Sequence, residues 1–203
     1  MDQMAASLAS TDQMLLIDTR SLQTTLTAMP AGAEIMVVDS GVSRDLYSSA
    51  YNERREECLR AAAMLGVRAL RDVTDVAAIE KLPTPLRERA RHVVTENSRV
   101  LSAAAAKEPK EFGALMNASH RSLRDDFCVS VSQVDRLVAA LQEDECVFGA
   151  RMTGAGFGGA CVALIGSGTA KMIEARLMTN FPEGAVVVPQ MSARAPKLSE
   201  PSE

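Results

Sequence analysis

The sequence contains no tryptophan, and aromatic residues make up only 3% of its 203 residues. Because apolar residues reach 47%, we expect a folded core, built from aliphatic side chains and from the 11 methionines. Lysine and arginine number 22 against 26 aspartates and glutamates, which gives a net charge of −4. Nucleic-acid surfaces usually carry a basic excess, so this balance argues against nucleic acid as a partner.

Cysteine and histidine are also scarce. The four cysteines lie at positions 58, 128, 146 and 161, with no C-x-x-C pair and no histidine at metal-ligand spacing. This pattern argues against a disulfide framework and against a zinc site. No apolar run reaches the length of a membrane span, about 18 residues, and MDQMAASLAS lacks the basic segment of a signal peptide. We therefore expect a cytoplasmic protein with reduced thiols and no membrane partner.

Strand-like and helix-like patterns alternate along the chain and predict an α/β (α+β) protein with an antiparallel or mixed sheet covered by helices. Strands are predicted at LLIDTRS, TTLTAM, EIMVVDSG, CVFGARM, CVALIG and AVVVPQ. Helices are predicted over 45–65, 85–106 and 109–123, from about Ser132, and at KMIEARLMTNF. Gly66 is expected to cap the first of these helices, and Thr74 to begin a short helix through Ile79.

The most unusual stretch, ARMTGAGFGGACVALIG, has four glycines between two apolar runs, at positions 154, 156, 158 and 159. It contains a formal G-x-G-x-x-G, but a dinucleotide fingerprint needs a helix after the glycines, and CVALI is strand-like. One interpretation is a tight hairpin, since glycine turns without strain at positive φ. The other, which we favour, is a ligand-binding loop, because bare backbone N–H groups can form an anion-binding concavity.

Within that stretch, RMTGAGFGG is similar to the third signature of the GHMP small-molecule kinases. Four further stretches resemble the galactokinase branch of this family in order and spacing. They are MDQ followed by LLIDTRSL, then SSAYNERREEC, RARHVVTEN and SHRSLRDDFCVS. The resemblance extends from Met1 to about Gln190.

The resemblance implies the GHMP-kinase C-terminal domain, an antiparallel sheet with helices packed on one side. Residues 1–28 would be a remnant of the N-terminal domain, 29–191 the C-terminal domain, and 192–203 a mobile tail. The implied reaction is phosphoryl transfer from Mg²⁺-ATP to the anomeric hydroxyl of D-galactose, which gives galactose 1-phosphate.

Site residues follow from the same resemblance. Asp2 would be the catalytic base and Tyr51 a sugar contact, while Gly154, Gly156, Gly158 and Gly159 would lie near the phosphates. Arg44 is the candidate replacement for a basic residue usual in its loop, and a candidate phosphate contact. No residue is assigned to a metal. Since Ala155 stands where the family has glycine, this residue must adopt a negative φ.

Each of these residues also has a structural interpretation. Asp2 is favourable at a helix N-terminus, and a tyrosine at position 51 would often be half buried near a helix start. We expect structural roles for His92 and His120, and helix-surface or interdomain ion pairs for a charged set from the matched stretches. That set comprises Arg54, Arg55, Arg121, Arg124, Asp125 and Asp126.

The family's upstream sugar motif, Gly-Glu-His-Thr-Asp, and its phosphate loop are not found in this sequence. Phosphoryl transfer depends on holding donor, metal and acceptor in line, so we expect the chain to be a truncated, poorly active segment. Two alternatives remain open. One is a non-catalytic sugar-binding or regulatory protein, and the other is a kinase of a related sugar such as N-acetylgalactosamine or arabinose.

Overall fold

The computed structural model describes residues 2–9, 13–43, 48–181 and 185–187. In these ranges the helices are α1 (Asp2–Leu8), α2 (Ser48–Met64), α3 (Leu86–Ala105), α4 (Pro109–Asp125), α5 (Ser132–Glu143) and α6 (Ala170–Asn180). The strands are β1 (Gln13–Ile17), β2 (Thr24–Ala28), β3 (Ala33–Asp39), β4 (Val147–Met152), β5 (Ala160–Gly166) and β6 (Ala185–Val187). Two short 3₁₀ helices, Leu70–Asp72 and Val76–Lys81, connect α2 to α3.

Four of the strands form one antiparallel sheet in the order β4-β5-β3-β6. Its register pairs Met36 with Ala163, and Arg151 with Val162. Strands β1 and β2 form a separate antiparallel hairpin, in which Leu15 faces Leu26. The predicted antiparallel sheet is therefore confirmed, and the glycine stretch is the turn that joins β4 to β5.

One face of the sheet carries the main core. Side chains alternate along a strand, so Met36, Val38 and Ala163 point to the same side and are fully buried. They pack against apolar residues of α5 and α6 and the end of α4, including Leu137, Leu141, Ile173, Leu177 and Leu123. On the opposite face Leu164 is fully buried, but Ile35, Val37 and Val162 are only partly buried. Helices thus cover one side of the sheet more completely than the other, as expected.

Helix ends follow the predicted signals with one correction. Gly66 follows α2 at φ +68°, and Pro109 occupies the first position of α4. The prediction that Thr74 begins the next helix is wrong. Asp75 is the capping residue, because its carboxylate accepts the N–H of Ala77 at 3.0 Å, and the segment it starts is a 3₁₀ helix.

Helix α4 approaches the sheet edge very closely. A Cβ atom on Gly113 would lie 2.1 Å from the carbonyl oxygen of Phe148, and one on Gly149 would lie 2.2 Å from that of Gly113. Glycine at both positions therefore allows the backbones of α4 and β4 to touch. Within the described ranges, none of the helices combines the length and apolar character that crossing a membrane requires.

Candidate active site

The glycine turn has a left-handed backbone along most of its length. The values of φ are +76° at Gly154, +93° at Gly156, +127° at Gly158 and +79° at Gly159. Ala155 keeps a φ outside the positive range, so its side chain is tolerated there as expected. Phe157 also adopts a positive φ, +59°, which only contacts around the turn can enforce on a side chain of this size.

Two loops hold the turn. The N–H of Phe157 donates to the carbonyl of Val129 at 2.6 Å, and the N–H of Gly159 donates to the carbonyl of Val42 at 2.8 Å. A Cβ atom on Gly156 would lie 2.4 Å from the oxygen of Val129, and one on Gly158 would lie 2.7 Å from that of Val42. These two buried glycines therefore have a packing role in addition to their turn conformation, because a side chain at either position would collide with its neighbours. Gly154 and Ala155 are exposed.

A cavity of about 940 Å³ lies beside the exposed end of the turn, and we call it the central cavity. Its walls include Thr153, Gly154 and Ala155 from the turn, and Tyr51 near the start of α2. Leu15 of β1, Ile35 and Val162 of the open sheet face, and apolar residues of α3 and α4 line the rest. The structure therefore brings the predicted sugar contact and the first predicted phosphate-proximal glycine to one concavity.

A cluster of charged side chains lines the same cavity. Glu96 Oε1 accepts the hydroxyl of Ser119 at 2.5 Å and lies 3.1 Å from Arg151 Nη1, while Glu96 Oε2 accepts Arg99 Nε at 2.7 Å. Burial raises the pKa of Glu96, but the hydrogen bonds of Ser119 and Arg99 and the charge of Arg151 outweigh it and lower that pKa. With two guanidinium groups and one carboxylate, the cluster has a net positive charge.

These cavity residues were not assigned a role from the sequence. Glu96 lies in the matched stretch RARHVVTEN, Ser119 begins SHRSLRDDFCVS, and Arg151 begins RMTGAGFGG. Membership of the matched stretches was therefore the available signal. What the sequence did not show is that positions 55 residues apart, such as Glu96 and Arg151, meet across the cavity wall.

Both histidines are buried, in agreement with structural roles. His92 stacks on Phe127 with ring centroids 4.4 Å apart, and its Nδ1 lies 3.0 Å from the hydroxyl oxygen of Ser122. Burial lowers the pKa of His92 to about 4. Burial also lowers the pKa of His120, although its Nε2 lies 3.3 Å from Asp135 Oδ1. Both rings are therefore neutral near pH 7.

The expectation of surface ion pairs is correct for some residues and wrong for Arg54. Arg55, Arg121 and Arg124 are exposed, and Arg124 pairs with Asp125 on the surface. The side chain of Arg54, in contrast, is only 13% exposed and pairs with Glu57, which is buried. Packing of α3 against α2 covers this side of the helix and encloses the pair.

Two predicted site residues are not placed relative to the cavity. Asp2 is the first residue of α1, but its side chain lies outside the described residues, as does Arg44. Among the residues that the structure describes, no group of three His, Cys, Asp or Glu side chains is arranged to hold a metal ion.

Comparisons with known proteins agree with the geometry. A family model described as "GHMP kinases C terminal" matches residues 100–183. The chain is 47% identical over 176 residues to a galactokinase of Roseiflexus sp. (strain RS-1), covering 81% of this chain and 45% of that protein. It is 43% identical over 175 residues to a galactokinase of Actinobacillus pleuropneumoniae serotype 3 (strain JL03), covering 81% and 46%.

Among solved structures, Lactococcus lactis galactokinase complexed with galactose matches with a TM-score of 0.83 at 28% identity. This match covers 92% of the chain and 52% of the Lactococcus protein. The chain thus spans about half the length of the relatives it matches. From the family model, the sequence relatives and the shared fold, the chain contains a GHMP-kinase C-terminal domain, which is similar to that of galactokinases.

Proposed function

We propose that this chain supplies the C-terminal half of a galactokinase site, which transfers the γ-phosphoryl group of Mg²⁺-ATP to the anomeric hydroxyl of D-galactose. One observation carries the proposal: Tyr51 and the exposed end of the glycine turn line a single cavity. That cavity is lined in part by a positively charged cluster, which suits a phosphorylated donor.

In the proposed reaction, Asp2 takes the proton of the anomeric hydroxyl while the oxygen of that hydroxyl attacks the γ-phosphorus and ADP leaves. Tyr51 offers a hydroxyl and a flat ring face to the sugar. Near the phosphates, Gly154 lets the backbone approach without a side chain, and Gly156, Gly158 and Gly159 hold the turn in shape. Arg44 remains a candidate phosphate contact. Mg²⁺ would neutralise phosphate charge.

We further propose that residues 1–28 belong to an N-terminal domain remnant, that residues 29–191 form the C-terminal domain, and that the tail is mobile. In support, β1 and β2 form a hairpin separate from the sheet that begins at β3. Because the chain spans about half of its relatives, we expect turnover far below that of a complete kinase. The cytoplasmic location and the absence of nucleic-acid and membrane partners stay predictions of the sequence.

The test is ATP-dependent formation of galactose 1-phosphate by the purified chain, with Asp2→Asn as the matched control. Weak turnover that Asp2→Asn abolishes would support the proposal. Turnover that is unchanged by Asp2→Asn would contradict the role of Asp2. Parallel reactions with N-acetylgalactosamine and arabinose decide the sugar.

Measuring galactose binding as well as turnover distinguishes the proposed kinase from the remaining alternative, a non-catalytic sugar-binding or regulatory protein. Stabilisation of the chain by galactose, with no product formed in the presence of Mg²⁺-ATP, would favour a sugar-binding or regulatory protein. An absence of both binding and turnover would contradict both functions for the isolated chain.

A further inference from the structure

Tyr51 and the glycine turn lie on different elements, but a continuous series of contacts joins them. The series begins on α2, where Glu57 lies two turns after Tyr51 and is only 3% exposed. Glu57 Oε2 accepts hydrogen bonds from Arg54 Nη1 and, at 2.8 Å, from Arg89 Nε on α3. The position of Arg89 is therefore fixed relative to the helix that carries Tyr51.

The second contact joins Arg89 to the loop between α4 and α5. Arg89 Nη1 donates to the carbonyl oxygen of Asp126 and lies 3.3 Å from Cys128 Sγ. Cys128 has a φ of +53°, which is unusual for a residue other than glycine. Because two atoms of this short loop bind one nitrogen of Arg89, the guanidinium group holds the loop in this conformation.

The third contact joins the loop to the glycine turn. Val129 follows Cys128 directly, and its carbonyl oxygen accepts the N–H of Phe157 at 2.6 Å. Gly156 also packs against this oxygen, with no room for a Cβ atom. A displacement of Val129 would therefore displace the centre of the turn.

We propose that Arg89 is a positioning residue that fixes the glycine turn relative to Tyr51. The two guanidinium edges have separate tasks, since Nε binds Glu57 on α2 and Nη1 binds the loop that carries Val129. In the proposed kinase, this geometry sets the separation between donor phosphates and acceptor sugar. The catalytic consequence rests on the proposed function, whereas the mechanical link between Arg89 and the turn does not.

The mechanical link is tested by amide hydrogen exchange in Arg89→Met, Arg89→Lys and the control Arg87→Met. Arg87 lies on the same helix, and among the described residues its side chain forms hydrogen bonds with Thr84 and Glu88, its close neighbours in the sequence. In Arg89→Met we expect the Phe157 amide to exchange about tenfold faster or more, relative to the amides of β5, because a charge-assisted contact to its support is lost. Arg89→Lys keeps a positive charge beside Glu57 but lacks the several N–H donors of the guanidinium group. Compared with Arg89→Met, it should therefore recover overall stability more than it recovers protection of the Phe157 amide.

Since Arg89→Met leaves Glu57 paired with Arg54 alone, this variant can fail to fold. The double variant Glu57→Gln/Arg89→Met removes the buried carboxylate as well, and it should show the same selective loss of protection at Phe157. An equal acceleration at Phe157 and throughout β5, or no acceleration in any folded variant, would overturn the proposal.

The catalytic consequence is measured separately, as kcat and KM for ATP and galactose in the same variants. We expect kcat to fall at least tenfold while KM for each substrate changes less, because the two binding surfaces survive but lose their alignment. If the Arg89 variants accelerate exchange selectively at Phe157 but the parent chain shows no galactose-dependent turnover, the proposed function is contradicted and the link between Arg89 and the turn is not. If exchange at Phe157 is accelerated but kcat does not change, the catalytic importance of this positioning is contradicted and the proposed function is not.

Discussion

Glu96 Oε1 lies 3.1 Å from Arg151 Nη1, and this ion pair joins the middle of α3 to β4 beside the central cavity. The pair is enclosed, with side-chain exposures of 19% for Glu96 and 29% for Arg151. Because Arg99 Nε binds the same carboxylate, the single negative charge of Glu96 is shared by two guanidinium groups. The wall of the cavity beside the glycine turn therefore depends on Glu96.

Replacing Glu96 by Gln should destabilise the chain by about 3 kcal/mol, because two enclosed guanidinium groups lose their common carboxylate. Urea unfolding of the two proteins measures the difference. The matched control is Glu80→Gln, which removes an exposed partner of Arg91 and should cost under about 1 kcal/mol. Equal effects of the two substitutions would show that the Glu96 cluster is only a surface feature.

The protonation of His92 should contribute to the pH dependence of the unfolding free energy. Burial lowers the pKa of His92 in the folded chain to about 4, whereas an unfolded histidine titrates near pH 6.5. Between these values the unfolded chain binds more protons, so stability falls as the pH falls from about 6.5 towards 4, by roughly 3 kcal/mol in total. The contribution of the neutral ring is complete above about pH 6.5.

The measurement is the difference in unfolding free energy between the parent chain and His92→Gln at pH 7.5, 6 and 5. Glutamine does not titrate, so the advantage of the parent over the variant should shrink as the pH falls. A constant difference over this range would mean that His92 does not lose a proton on folding.

Local patterns predicted the elements well, because the signals that define them lie close together in the sequence. Gly66 ends α2, Pro109 begins α4, and the glycines between two apolar runs form the turn from β4 to β5. The Thr74 prediction failed within this local logic, because Asp75 offered a competing cap one residue later.

The interior charge networks could not be predicted in the same way. The run NERREE is typical of a solvated helix face, yet Arg54 and Glu57 are enclosed when Arg89 of α3 packs against them. Such burial depends on which helix covers α2, and no local pattern contains this information. The same limit applies to Glu96 and Arg151, which only the packing of α3 beside β4 brings together.

A methyl group at Gly156 should be far more costly than one at another left-handed glycine. Gly32 also has a positive φ, +74°, but apart from its chain neighbours no described residue has an atom within 4 Å of the position of its Cβ. Gly32→Ala should therefore cost only the backbone strain, about 1–2 kcal/mol. Gly156→Ala adds a collision with the oxygen of Val129 and should cost about 3 kcal/mol or more. Urea unfolding compares the two, and equal costs would contradict the close seating of the turn on Val129.

Tyr51→Phe should separate sugar binding from folding. Tyr51 is 50% exposed on α2, so loss of its hydroxyl should change the unfolding free energy by less than about 0.5 kcal/mol. If the hydroxyl binds galactose, the dissociation constant should rise about tenfold, the usual effect of losing one hydrogen bond. Galactose titrations followed by the melting temperature give this ratio, with Tyr47→Phe as the matched substitution of the other tyrosine. A variant that is as stable as the parent and binds galactose equally well would show that the Tyr51 hydroxyl does not bind the sugar.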